Sequence, residues 1–148
     1  MIFLDIVTTV CIGLLIGTEF AVSVFINPIL ERLDTDTRMK AISLFAKRLG
    51  TAMPFWYALS LLLLIAEALL RRHTEGISLL VVASALWLAV IILTLIFLVP
   101  INNRMMRLDS NSLPDDSLRE HSRWDLLHRG RVAILVASMI CCLLAVLR

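Results

Sequence analysis

The sequence predicts an all-α polytopic membrane protein: a four-transmembrane-helix bundle with a short amphipathic cytoplasmic helix between helices 1 and 2. Three observations carry this. Apolar and aromatic residues make up 59% of the 148 residues, well above the about 45–50% of a typical soluble domain. The mean hydropathy of +0.90 points the same way. The charged residues are only 18% of the chain and are clustered. The stretches between them are long enough to cross a bilayer core, which takes about 20 residues for roughly 30 Å. The length suits one domain, residues 1–148, with spans expected over 2–26, 54–71, 77–102 and 126–147. This composition excludes a disordered chain, a nucleic-acid partner and most water-soluble enzymes.

Backbone groups in lipid must be satisfied within the segment, so each span is read as a helix. The first runs from about Ile2 to Ile26 and contains Glu19. It reads as a retained span rather than a cleaved signal. No Lys or Arg precedes it, it carries Asp5, and its apolar run is too long for a signal's core. Asn27-Pro28 is expected to end it, because a residue before proline is pushed away from helical geometry. Gly13 and Gly17 form a small-xxx-small pair that would let another helix approach closely, in this chain or in a homo-oligomer.

Thr35 to Leu49 reads as the amphipathic helix. Met39, Ile42, Leu44, Phe45 and Leu49 oppose Arg38, Lys40, Lys47 and Arg48, and such a helix can lie on the membrane surface. Pro54 suits the first turn of the second span, where its missing N–H costs nothing. Glu67 stands four residues before Arg71, a spacing that pairs them on one helix face. Trp56 and Tyr57 look like interfacial belt residues.

The third span, Ile77 to Ile101, is uncharged, and Pro100 should kink or end it. Asn102 and Asn103 follow. After a turn at Ser110–Leu113, Pro114 opens a helix whose first turn holds Asp115 and Asp116, which suit its positive end. The apolar run of the fourth span, Val132 to Leu147, is 16 residues, about 24 Å at 1.5 Å per residue. It falls short of the bilayer core. The fourth helix must therefore begin earlier and draw Arg129, His128 or their neighbours to the membrane. His73 and His121 read as solvated. Cys11, Cys141 and Cys142 lie in apolar runs and form no CxxC pair, so they read as small hydrophobes.

Loops 27–53 and 102–131 hold eleven of the basic residues, and the termini with the 71–76 turn hold three. The positive-inside rule then places both long loops in the cytoplasm and both termini outside, in what is read as a bacterial inner membrane.

An ionisable residue inside a span costs a few kcal/mol, so it calls for a partner and a reason. Glu19, Ser23 and Asn27 follow i, i+4, i+8 spacing and share a face. Trp124, His128 and Arg131 share one on the fourth helix. These groups, with Asn102 and Asn103, fall toward the same membrane side. A bundle mouth that gathers them is a place for chemistry, opening to the cytoplasm, with Arg131 within direct or one-water contact of Glu19. No HxxxH or ExxH pair occurs, so no metal ligand set is predicted.

Three runs carry a family resemblance: Gly17–Pro28 closing the first span, Val99–Arg104 ending the third, and Trp124–Arg131 opening the fourth. Together, over nearly the whole chain, they resemble the anthrone-oxygenase-like family of four-helix membrane proteins, most of whose bacterial members carry a domain of unknown function. The resemblance implies a cofactor-independent oxygenase. Fungal relatives oxidise anthrones to anthraquinones with molecular oxygen, without flavin or haem. Its pattern maps onto Asn27, Pro28, Pro100, Asn102, Trp124, His128 and Arg131; the fungal pattern tends to Asn where His128 stands. The expected function is a membrane-embedded oxidoreductase acting on a small aromatic or quinone-like lipophile. Glu19, His128 and Arg131 would be its catalytic residues. Asn27, Asn102, Asn103 and Trp124 would contact the substrate. Expected partners are membrane lipid and that substrate, with no cofactor. A non-enzymatic scaffold or accessory protein and a small proton-coupled transporter are the alternatives.

Overall fold

The computed structural model describes residues 1–107 and 114–148. The expected turn at 110–113 and the side chains of Asp115, Asp116 and His121 lie outside the described residues. The described residues are almost wholly helical and form four antiparallel rods. Four helices are long and apolar enough to cross a membrane: Ile2–Leu30, Thr35–Leu70, Ile77–Arg104 and Ser122–Val146. The protein is an integral membrane protein, and these are called the first to fourth spans.

The boundaries depart from the sequence reading in instructive ways. The amphipathic segment is not a separate surface helix. It is continuous with the second span in a single helix of 36 residues, Thr35–Leu70, that passes through Pro54. Pro54 is therefore interior, not at a first turn, and supplies no N–H to the Gly50 carbonyl. This helix starts at Asp34, whose carboxylate accepts from the Thr37 amide at 3.1 Å and so satisfies an orphan donor. The fourth helix runs unbroken from Pro114 to Val146, with Gly130 inside it.

Neither Pro28 nor Pro100 ends its helix. Each is preceded by one wide π turn, Val22–Ile26 in the first span and Thr94–Leu98 in the third. The Asn27 amide reaches back to the Val22 carbonyl, and the Val99 amide to that of Thr94. Such a turn re-satisfies backbone that a proline would otherwise orphan. The two sites share a local sequence, Phe25-Ile-Asn-Pro-Ile29 and Phe97-Leu-Val-Pro-Ile101. The first and third spans point the same way, so both wide turns fall at the same end of the bundle.

Lipid is as apolar as the side chains, so packing and interhelical hydrogen bonds hold the spans together, the latter at about 0.6 kcal/mol each. Ile12, Leu15, Leu64, Leu80, Trp87, Val90 and Leu135 form the core. Polar ties cross it. Trp87 Nε1 donates to the Tyr57 carbonyl at 3.1 Å, Trp56 Nε1 to the Cys11 carbonyl at 3.1 Å, and Ser138 Oγ to the Ala83 carbonyl at 2.8 Å. Trp56 and Tyr57 are thus not belt residues. The glycine pair also differs from expectation. A Cβ on Gly13 would make ordinary contact with Met139 at 3.6 Å, and one on Gly17 would meet nothing within 4 Å. The close approach is at Gly76, where a Cβ would lie 2.6 Å from the Ala145 carbonyl oxygen.

Candidate functional site

Glu19 sits one turn before the wide turn of the first span and is 3% exposed. A lone buried carboxylate is costly, and here it is compensated by hydrogen bonds and a countercharge. Tyr57 of the second span donates its hydroxyl to Glu19 Oε1 at 3.0 Å. Arg131 of the fourth donates Nη2–H to Oε2 at 2.5 Å. The contact expected between Glu19 and Arg131 is therefore direct.

The same Nη2 lies 2.8 Å from His128 Nδ1, and His128 Nε2 lies 3.0 Å from the Glu19 carbonyl oxygen. A carbonyl only accepts, so Nε2 carries the ring proton. Nδ1 is then the acceptor, facing the two hydrogens of Nη2 that it shares with Glu19. Both imidazole nitrogens are spent inside the protein. Trp124 stacks on the imidazole, with centroids 4.6 Å apart and planes 11° apart, and fixes its plane. Arg131 is steadied by the face of the Tyr57 ring, 5.7 Å below it, and by Thr94 Oγ1 at 3.4 Å. Its Nε–H is buried and meets no hydrogen-bond partner among the described residues.

This cluster closes one end of a cavity of about 380 Å³. That volume lies within the range of about 300–1,000 Å³ typical of small-molecule sites. Val22, Ile26, Leu30, Met53, Ile91 and Leu98 build its apolar walls. Asn27, Asn102 and Trp124 also line it.

A profile of the anthrone oxygenase family matches residues 39–141. The chain belongs to the anthrone oxygenase family. No curated protein and no solved structure matches it. The family stretch contains Tyr57, Thr94, Asn102, Trp124, His128 and Arg131; Glu19 and Asn27 precede it.

Set against this geometry, the residues singled out in the sequence fall into two groups. Glu19, Asn27, Asn102, Trp124, His128 and Arg131 all line the cavity. Asn103 does not; it is exposed. Asn27 does not present a free amide either, because Nδ2 donates to Asp125 Oδ1 at 2.7 Å. Asp125 in turn pairs with Arg129 at 2.8 Å. Three contributors were not signalled: Tyr57, hidden by its place near a span start; Thr94, an ordinary polar residue in an apolar run; and Asp125, which looks solvated. Asp125 stands one residue after Trp124 and three before His128, a spacing that marks it as a neighbour of their face. Among the described residues, no three His, Cys, Asp or Glu side chains gather into a metal-holding group.

Proposed function

We propose that the protein is a membrane oxygenase of the anthrone type, acting on a small aromatic ketone or hydroquinone-like lipophile with molecular oxygen as oxidant. One observation carries this: a buried carboxylate paired with a buried guanidinium, Glu19 with Arg131, at the polar end of an apolar cavity. A substrate oxygen fits the guanidinium and an aromatic body fits the walls. Glu19 is the base in this reading. Its oxygens each receive one donor and keep acceptor capacity, whereas the nitrogens of His128 are engaged. His128 positions Arg131.

For an anthrone the reaction balances as follows. Glu19 takes a proton from the ring methylene, and the Arg131 guanidinium holds the charge that develops on the ketone oxygen. The carbanion gives an electron to O2, and the radical pair couples to form a C–O bond. Glu19 returns its proton to the resulting peroxide. Removal of the second methylene proton breaks the O–O bond, hydroxide leaves and is protonated to water, and a carbonyl remains. The methylene carbon loses four electrons and O2 gains four, one oxygen ending in the quinone and one in water.

The charge bias supports placing the cavity end of the bundle at the cytoplasmic face of a bacterial inner membrane, with both termini outside. Reporter fusions at Arg148 and at Arg48 test this orientation. A cytoplasmic signal from Arg148 overturns it. The activity is tested in nanodiscs by oxygen uptake and anthraquinone absorbance with an anthrone. The expected result is a rate well above the protein-free rate, lowered about 10²-fold by Arg131→Lys, which keeps the charge and removes the planar guanidinium. A wild-type rate equal to the protein-free rate overturns the reading.

A further inference from the structure

The cavity is packed shut at its loop end and opens along the side of the bundle. At the end carrying the long loops, buried Leu30, Ile42 and Ile101 pack together with Trp124 and Leu127 against them. The Asn27–Asp125 bond ties the same end shut. The lining residues that are exposed lie along the seam between the second and third spans: Phe45, Gly50, Pro54 and Ala58 on one side, Leu95 and Val99 on the other. Leu95 is 62% exposed and yet lines the cavity. None of these rim residues carries a polar side chain. A water-facing mouth would expose apolar edges at a cost of about 25 cal/mol per Å²; a mouth in hydrocarbon has no such cost. This departs from the expectation that the cluster opens to the cytoplasm.

We propose that this seam is a lateral portal through which a neutral, membrane-dissolved aromatic compound with a ring oxygen passes from the bilayer, oxygen first, to the Arg131 end. The substrate class deepens the oxygenase reading and rests on it for chemistry, but the portal stands on the geometry alone. The wide turn Thr94–Leu98 forms part of the portal wall, so the backbone at this seam is already departed from regular helix.

The test separates the two readings. The probe is 1-hydroxyanthraquinone, which is not turned over, with binding read by quenching of tryptophan fluorescence in nanodiscs. Leu95→Cys is folded and purified first, then capped with a pyrene maleimide, so that a folding defect cannot mimic a blocked portal. Wild type sets the background from its own cysteines. The expected result is a probe association rate at least about tenfold slower for the capped Leu95→Cys protein, and unchanged for capped Leu88→Cys, which is exposed on the same helix away from the cavity. A charged, water-restricted thiosulfonate should label Lys47→Cys and spare Leu95→Cys. Labelling of both at equal rates, or a capped Leu95→Cys protein that binds as fast as wild type, overturns the portal. Anthrone turnover alongside either result would leave the oxygenase reading in place. A slowed probe without turnover would leave the portal in place and remove the oxygenase.

Discussion

At each end of the bundle a buried arginine meets a carboxylate, and Arg131, unlike Arg71, lies at the wall of the cavity described above. At the turn end, Arg71 donates Nη2–H to Asp5 at 2.7 Å and Nε–H to Glu67 at 3.3 Å, and Thr8 donates to Glu67 at 3.3 Å. This set uses two helices and spends its donors internally. At the other end, Glu19, Tyr57, His128 and Arg131 come from three helices, and Arg131 keeps Nε free. The difference teaches that a buried ion pair is not by itself a functional sign. What separates the two is the cavity at whose wall Glu19 and Arg131 lie.

The largest expected contrast is in activity. Glu19→Gln should lower kcat by about 10²–10⁴-fold, the usual worth of a positioned base, while Glu67→Gln should stay within twofold. Oxygen uptake with an anthrone in nanodiscs measures both. Equal losses would break the comparison.

Stability should sharpen it. Arg131→Leu strands Glu19 and should cost about 3–5 kcal/mol. The double variant Glu19→Leu with Arg131→Leu should recover part of that loss. A double-mutant cycle by unfolding in detergent gives the coupling directly; additive losses would mean that the two groups do not interact.

Arg71→Leu strands carboxylates at the other end and should destabilise by a comparable amount, about 3–5 kcal/mol. Turnover per folded molecule should not change, because Arg71 lines no part of the cavity. A fall in specific activity at matched folded fraction would assign the turn end a part in the chemistry.

The smallest effect concerns the cap at Asp34, far from both clusters. Hydrogen bonds from the Thr37 side chain and amide hold its carboxyl below the ordinary value of 3.8. A depressed pKa contributes stability above the unfolded value, and loses it as pH falls through the folded one. Asp34→Ala should therefore melt lower than wild type at pH 7, with the gap closing below pH 3.8. Melting curves across pH 3–7 check this; a gap independent of pH would mean that the carboxylate is not the cap.

Much of the fold was legible because lipid imposes a length and a polarity that a one-dimensional pattern records. The four spans follow from that, and so does the shortfall at Val132, which pointed to His128 and Arg131. Glu19 was legible because a carboxylate in an apolar run stands out. Tyr57 was not, since an aromatic near a span end reads equally as a belt residue, and only the approach of the first span gives its hydroxyl a partner. Pro54 misled for a related reason. Proline favours a first turn, but the segments on both sides are helical enough to continue through it. Gly76 carried no periodic signal, and its need for a bare Cα arises from Ala145, far along the chain.

The two wide turns have a consequence for angular register. Eight residues separate Glu19 from Asn27, and eight separate Thr94 from Asn102. At 3.6 residues per turn, eight steps of about 100° leave an offset of about 80°. A π turn absorbs about one residue, so each interval behaves as seven, and the offset falls to about 20°. Each amide therefore returns to the azimuth of the polar group two turns above it. Straightening either turn into regular α-helix with no residue removed would restore the offset of about 80° and swing Asn27 or Asn102 by about 100° away from the cavity, without any change to the side chains themselves.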